Sequence, residues 1–206
     1  MKTENSFKTK IPLLLIAFRF LLAPVILAIT FFFRENGKTA IVILMYLGLI
    51  SDILDGIVAR KLKVATEKLR RMDSQTDLIF WLSIGVSTWM LFPALIKSNA
   101  LPIILIFIME GMCYAISLIK FGKETCTHAF LSKIWGITLL VAFTSLIGFN
   151  YAGVPFAIAV IFGLISHLDR ILITLILPEW THDIPSAYHA WLIRKGIGFK
   201  KNDLLN

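Results

Sequence analysis

The chain has 206 residues, of which 57% are hydrophobic and 17% charged, with a mean hydropathy of +0.80. Soluble domains average about 45–50% apolar and about 25% charged residues, so a water-soluble globule is excluded. Lys and Arg outnumber Asp and Glu by 21 to 13, a net charge of +8, and in so apolar a chain that surplus points to a membrane surface rather than to nucleic acid.

A membrane-spanning helix needs about 20 mostly apolar residues, and six such runs occur in chain order. The first, Ile11 to Phe33, follows Lys2, Lys8 and Lys10. It is too long for a signal-peptide core, contains Arg19 and lacks a small-residue cleavage site, so it is expected to be retained. The second runs from Ala40 to Arg60, and the third from Leu78 to Ile96 with a polar lead-in from Asp73. The fourth, fifth and sixth are Leu101 to Phe121, Leu131 to Phe149 and Gly153 to Leu177. The remainder, with Trp180, Tyr188 and Trp191 among basic residues and histidines, reads as an interfacial segment. The expected class is an all-α integral membrane protein: a six-helix transmembrane domain over 1–178 and a cytoplasmic or interfacial tail over 179–206.

Cations fall on alternate loops. Arg60, Lys61, Lys63, Lys68, Arg70 and Arg71 cluster after the second run, and Lys120, Lys123 and Lys133 flank the loop after the fourth. With the N-terminal lysines and Arg194, Lys195, Lys200 and Lys201 at the other end, both termini are predicted to be cytoplasmic. Two cysteines, Cys113 and Cys126, make no disulfide framework.

Acidic residues in or beside a span are costly and usually functional. Four are concentrated here. Asp52 and Asp55 are three apart near the cytoplasmic end of the second run, and Asp73 and Asp77 four apart at the start of the third, so each pair lies on one helix face. A short basic loop joins the two helices, which lets both pairs converge near the cytoplasmic interface. Four carboxylates repel one another unless cations or protons intervene, and an oxygen-only donor set suits Mg²⁺ or Mn²⁺ better than Zn²⁺. Gly56, Ala59 and Arg60 share the next turn: small residues admit a ligand to the backbone, and the guanidinium matches phosphate. Together these parts describe a pyrophosphate site.

The pattern Asp52-x2-Asp55-Gly56-x2-Ala59-Arg60-x8-Leu69-x3-Asp73-x3-Asp77 resembles the signature of the CDP-alcohol phosphotransferase family, D-x2-D-G-x2-A-R-x8-G-x3-D-x3-D, at seven of its eight fixed positions. Ile11-Pro12, Phe18-Arg19 and Pro24 resemble the first helix of bacterial phosphatidylglycerophosphate synthases, which places the expected site at the cytoplasmic face of a bacterial inner membrane. The resemblance implies that Asp52, Asp55, Asp73 and Asp77 bind the metal. Asp77 would also be the catalytic base, and Gly56, Ala59 and Arg60 would line the CDP donor. It implies attack of an alcohol on the β-phosphate of a CDP-linked donor, usually CDP-diacylglycerol, with release of CMP, in phospholipid biosynthesis by a homodimer. Leu69 departs from the pattern: it stands at the second glycine, where it would crowd the nucleotide.

The acceptor is less legible. Ser132-Lys133 resembles a Gly-Lys pair of glycerol-phosphate enzymes and makes Lys133 a candidate for an acceptor phosphate, while Lys120 and Lys123 also fit loop topology. Glu110 falls in mid-span. His167, Asp169 and Arg170 interrupt the sixth run, where pairing across helices is expected, with Arg19 a candidate partner of Asp169. The competing functions are a prenyltransferase using Mg²⁺ and Asp-rich motifs, a cation transporter, and a catalytically impaired scaffold. A transporter should carry ionisable groups near the midplane, whereas these cluster near one interface.

Overall fold

A computed structural model describes residues 10–62, 64, 66–124 and 129–198. Lys2, Lys8, Lys63, Cys126, His128, Lys200 and Lys201 lie outside the described residues. Among the described residues the chain is all-helical, with no strand. The helices are α1 (Ile11–Phe33), α2 (Lys38–Lys61), α3 (Glu67–Leu91), the short α4 (Pro93–Ser98), α5 (Ala100–Phe121), α6 (Phe130–Phe143), α7 (Val154–Ile176) and α8 (Ala187–Arg194). A 3-10 turn, Arg34–Gly37, joins α1 to α2, and a wider π-type turn, Thr144–Gly148, extends α6.

Local chemistry sets the helix ends. Pro12 and Pro155 occupy the first turns of α1 and α7, where the missing N–H costs nothing. The hydroxyl of Thr66 caps α3 by accepting the Leu69 N–H at 3.2 Å. Phe92 is forced out of helical conformation by the proline after it, so the third apolar run, expected to continue to Ile96, breaks there and restarts as α4. Leu177 turns extended before Pro178 and ends α7 in the same way. Gly122 closes α5 with a left-handed φ of 66°.

Among the described residues, four stretches are long and apolar enough to cross a membrane: Ile11–Lys61, Ala100–Phe121, Phe130–Gly148 and Val154–Ile176. The first, 51 residues long, contains both α1 and α2. α3 is absent from this set because its N-terminal half is charged, from Glu67 through Asp77. Large apolar side chains such as Phe32, Trp89 and Ile119 point outward, Phe32 with 74% of its surface exposed. That is the surface of a protein solvated by hydrocarbon.

The chain forms two compact units, Met1–Ser98 with Phe143–Tyr151, and Asn99–Ala142 with Ala152–Asn206. In the first, α1 packs against both α2 and α3, which touch each other far less. Where α2 and α3 do meet, Gly48 faces Phe80: a Cβ there would lie 2.1 Å from the ring. In the second, α5 packs on α7 and α7 on α8. Ile184 and Ala190 of the tail are buried with Ala129, Ile173 and Leu177.

Candidate metal centre

The four carboxylates come from two helices and meet on a third. α1 lies between α2 and α3, and its Arg19 is only 1% exposed. At 1.5 Å per residue Arg19 sits about 12 Å along α1 and Asp52 about 13 Å before the end of α2. The tight turn between the helices makes them antiparallel, so the two residues share a depth. Arg19 Nη1 is 2.8 Å from Asp52 Oδ1, Nη2 is 3.1 Å from Asp55 Oδ2, and Nε is 2.9 Å from Asp77 Oδ1. Nη2 also donates a hydrogen bond to Asp73. One guanidinium thus touches all four carboxylates of the motif.

Accessibility divides the four. The side chains of Asp55 and Asp73 are 4% and 7% exposed and form the floor. Those of Asp52 and Asp77, at 34% and 32%, reach the open side. One oxygen each from Asp52, Asp55 and Asp73 lies within 4.8 Å of the others. Asp55 Oδ2 is buried, with the Arg19 guanidinium at ion-pair distance but not aligned as a hydrogen-bond donor. Convergent oxygens and net negative charge fit a hard divalent cation. Asp77 is tied to the group through Arg19.

A family model described as CDP-alcohol phosphatidyltransferase matches residues 9–165. The chain belongs to this family. No curated protein and no solved structure matches the chain. Membership of the CDP-alcohol phosphatidyltransferases makes the chain a transferase that moves a phosphoalcohol group from a CDP-alcohol, and the matched stretch contains the whole carboxylate cluster together with Arg19.

The remaining candidate residues of this phosphatidyltransferase are distributed as follows. Arg60 folds back over Gly56, so that a Cβ on Gly56 would meet Arg60 Nη1 at 3.4 Å. Ala59 is buried, at 2% exposure, on the same turn. Leu69 is half-buried in the first turn of α3, immediately before Arg70 and one helical turn before Asp73. Lys133 is exposed near the start of α6, in the second unit.

Other polar residues of the second unit have structural partners. Lys120 donates to the carbonyls of Thr174, Leu175 and Leu177 at 3.0, 2.7 and 2.7 Å, which caps the end of α7. Lys123 lies 4.6 Å from the Trp180 ring centre. Glu110 accepts from His167 Nε2 at 2.7 Å and from Arg170 at 2.7 and 3.2 Å, so the mid-span acid is paired. Asp169 accepts the Ala187 N–H at 2.9 Å at the start of α8, and Arg19 is engaged with the four carboxylates of the first unit. Arg19 and Asp169, a candidate pair from sequence, thus each have other partners within their own unit.

Arg19 is the residue whose place in the site sequence reasoning missed. The signal was available: it is the only charged residue between Ile11 and Phe33, and four carboxylates at its depth required a counter-charge.

Proposed function

We propose that the protein transfers a phosphatidyl group from CDP-diacylglycerol to an alcohol, releasing CMP, as a step of phospholipid biosynthesis. The reading places six spans in a cell membrane, with both termini and the carboxylate site on the cytoplasmic side. The observation that carries it is the convergence of the Asp52, Asp55 and Asp73 oxygens, at the spacing of the family signature, within 4.8 Å of one another.

In this reading Asp52, Asp55, Asp73 and Asp77 hold Mg²⁺ or Mn²⁺. When bound, the metal neutralises the pyrophosphate and the leaving CMP. Asp55 and Asp73, on the buried floor, fix the position of the charge. Asp77 is open enough to meet an acceptor and takes the proton from its hydroxyl as that oxygen bonds to the β-phosphorus and the pyrophosphate bridge breaks. Arg60, lying over Gly56, supplies donors for the CMP phosphate, with Ala59 completing that turn. Lys133 receives the phosphate of a phosphorylated acceptor, and the working form is a homodimer.

The test is CMP release from CDP-diacylglycerol by the purified protein with a panel of alcohols, the lipid product identified by mass spectrometry. Chelator should abolish release, and Asp77→Asn should lower it at least about 100-fold, the usual scale for losing a general base. Metal flux in proteoliposomes without CMP release would instead make the protein a transporter. Neither activity, in folded protein, would favour a scaffold.

A further inference from the structure

The way Arg19 meets the carboxylates is unusual for an arginine built into a permanent salt bridge. A guanidinium offers five N–H donors in a rigid planar fork, and its buried ion pairs are stable when those donors are matched. Arg19 is 1% exposed and touches four carboxylates, donating a hydrogen bond to Asp73 while the other three stand at ion-pair distance. Its Nε and Nη1 are buried without a hydrogen-bond partner, as is Asp55 Oδ2 opposite. By contrast Arg170 meets Glu110 through two aligned bonds at 2.7 and 3.2 Å. One oxygen each of Asp52, Asp55 and Asp73 lies within 4.8 Å of the others, and the planar fork of Arg19 is not aligned with all of these acids.

Arg19 also engages the carboxylates a metal would need. Its nitrogens contact Asp52 Oδ1, Asp55 Oδ2 and Asp73 Oδ1, from the same three residues whose oxygens converge. A divalent ion held by those three carboxylates and a guanidinium wedged among them are like charges in one small volume. Arg19 cannot shed its charge at any accessible pH.

Building on the reading of the carboxylates as a divalent-metal site, we propose that Arg19 is a resident counter-ion that competes with the metal. With no ion bound, it neutralises part of the four-carboxylate charge and keeps α2 and α3 gathered on α1. Metal entry requires the guanidinium to withdraw from at least Asp52, Asp55 and Asp73. Arg19 is therefore a positioning residue that sets metal affinity.

The experiment uses full-length, detergent-purified protein stripped by chelator, with Mn²⁺ alone as the probe. Free Mn²⁺ is measured by electron paramagnetic resonance, and the thermal midpoint is recorded with and without Mn²⁺. Arg19→Met should bind Mn²⁺ at least tenfold more tightly than wild type. It should melt earlier in chelator and regain most of the loss when Mn²⁺ is added. A folded Arg19→Met protein with unchanged or weaker Mn²⁺ affinity overturns the proposal.

If Arg19→Met does not fold, hydrogen exchange on the wild type decides. Mn²⁺ should slow exchange in α2 and α3 beside the carboxylates and speed it in α1 around Arg19. Slower exchange in all three helices, or no change in any, overturns competition. CMP release is read in parallel. Release by wild type without tighter Mn²⁺ binding in the variant removes the competition alone. Tighter binding in the variant without any CMP release removes the transferase reading alone.

Discussion

Two arginines, Arg19 and the partly buried Arg170, show how differently one residue type is used inside this protein. Arg170 and His167 both donate to Glu110, a paired cluster within the second unit in which the acid has charged or polar donors on both oxygens. Arg19 is shared among four acids and aligned with one. The acid pairs were legible in the sequence because their partners are three or four residues apart on one helix, a spacing that fixes a common face. The partners of Arg19 lie a helix or more away, so only a comparison of depths along the helices would have found them. Leu69 belongs to the same scale. It sits in the capped first turn of α3, one turn before Asp73, where the family signature has glycine. If its side chain crowds the donor, Leu69→Gly should raise kcat/KM for the CDP-alcohol while leaving the thermal midpoint within a few degrees. A fall in CMP release from the folded variant would refute crowding.

At the scale of elements, apolar runs located the long helices well, and the first matches α1 at both ends. The third does not, for a local reason: Pro93 disfavours helix at Phe92, and the run continues through that break because hydropathy does not register backbone conformation. The polar lead-in to that run proved to be helical as well, since Thr66 caps α3 about three turns before Leu78. The packing contacts between helices were not legible, beyond the convergence of the two acid pairs. Gly48 carries no motif, yet the Phe80 ring, itself 1% exposed, occupies the space its Cβ would need. Gly48→Ala should therefore push α2 from α3 and cost about 1–3 kcal/mol, the usual penalty of overpacking. A lowered thermal midpoint in detergent, partly recovered by Phe80→Leu in the same chain, is the expected result. An additive loss in the double variant would mean that the two positions do not interact.

At the scale of the whole molecule, the charge asymmetry of the loops makes a topological prediction. The turn Arg34–Gly37 and the basic stretch after α2 should lie on opposite sides of the membrane. In a chain with Cys126→Ser, Glu35→Cys should react with an impermeant maleimide in intact cells, and Lys68→Cys only after permeabilisation. Labelling of both from one side would overturn the six-span arrangement. The tail reads from sequence as an interfacial segment, but nothing there shows that Ile184 and Ala190 pack with Ile173 and Leu177 beside the end of α7. The placement of Arg19 on the first helix bears finally on how the protein is made. During synthesis α1 emerges before any of its acidic partners, and a lone arginine in an apolar helix costs about 2.5–3.5 kcal/mol on insertion scales. A nascent chain ending at Gly37 carries that cation uncompensated, while one ending at Leu91 holds all four carboxylates. The carboxylates of α2 and α3 thus supply the compensation that the arginine of α1 lacks when that helix is first made.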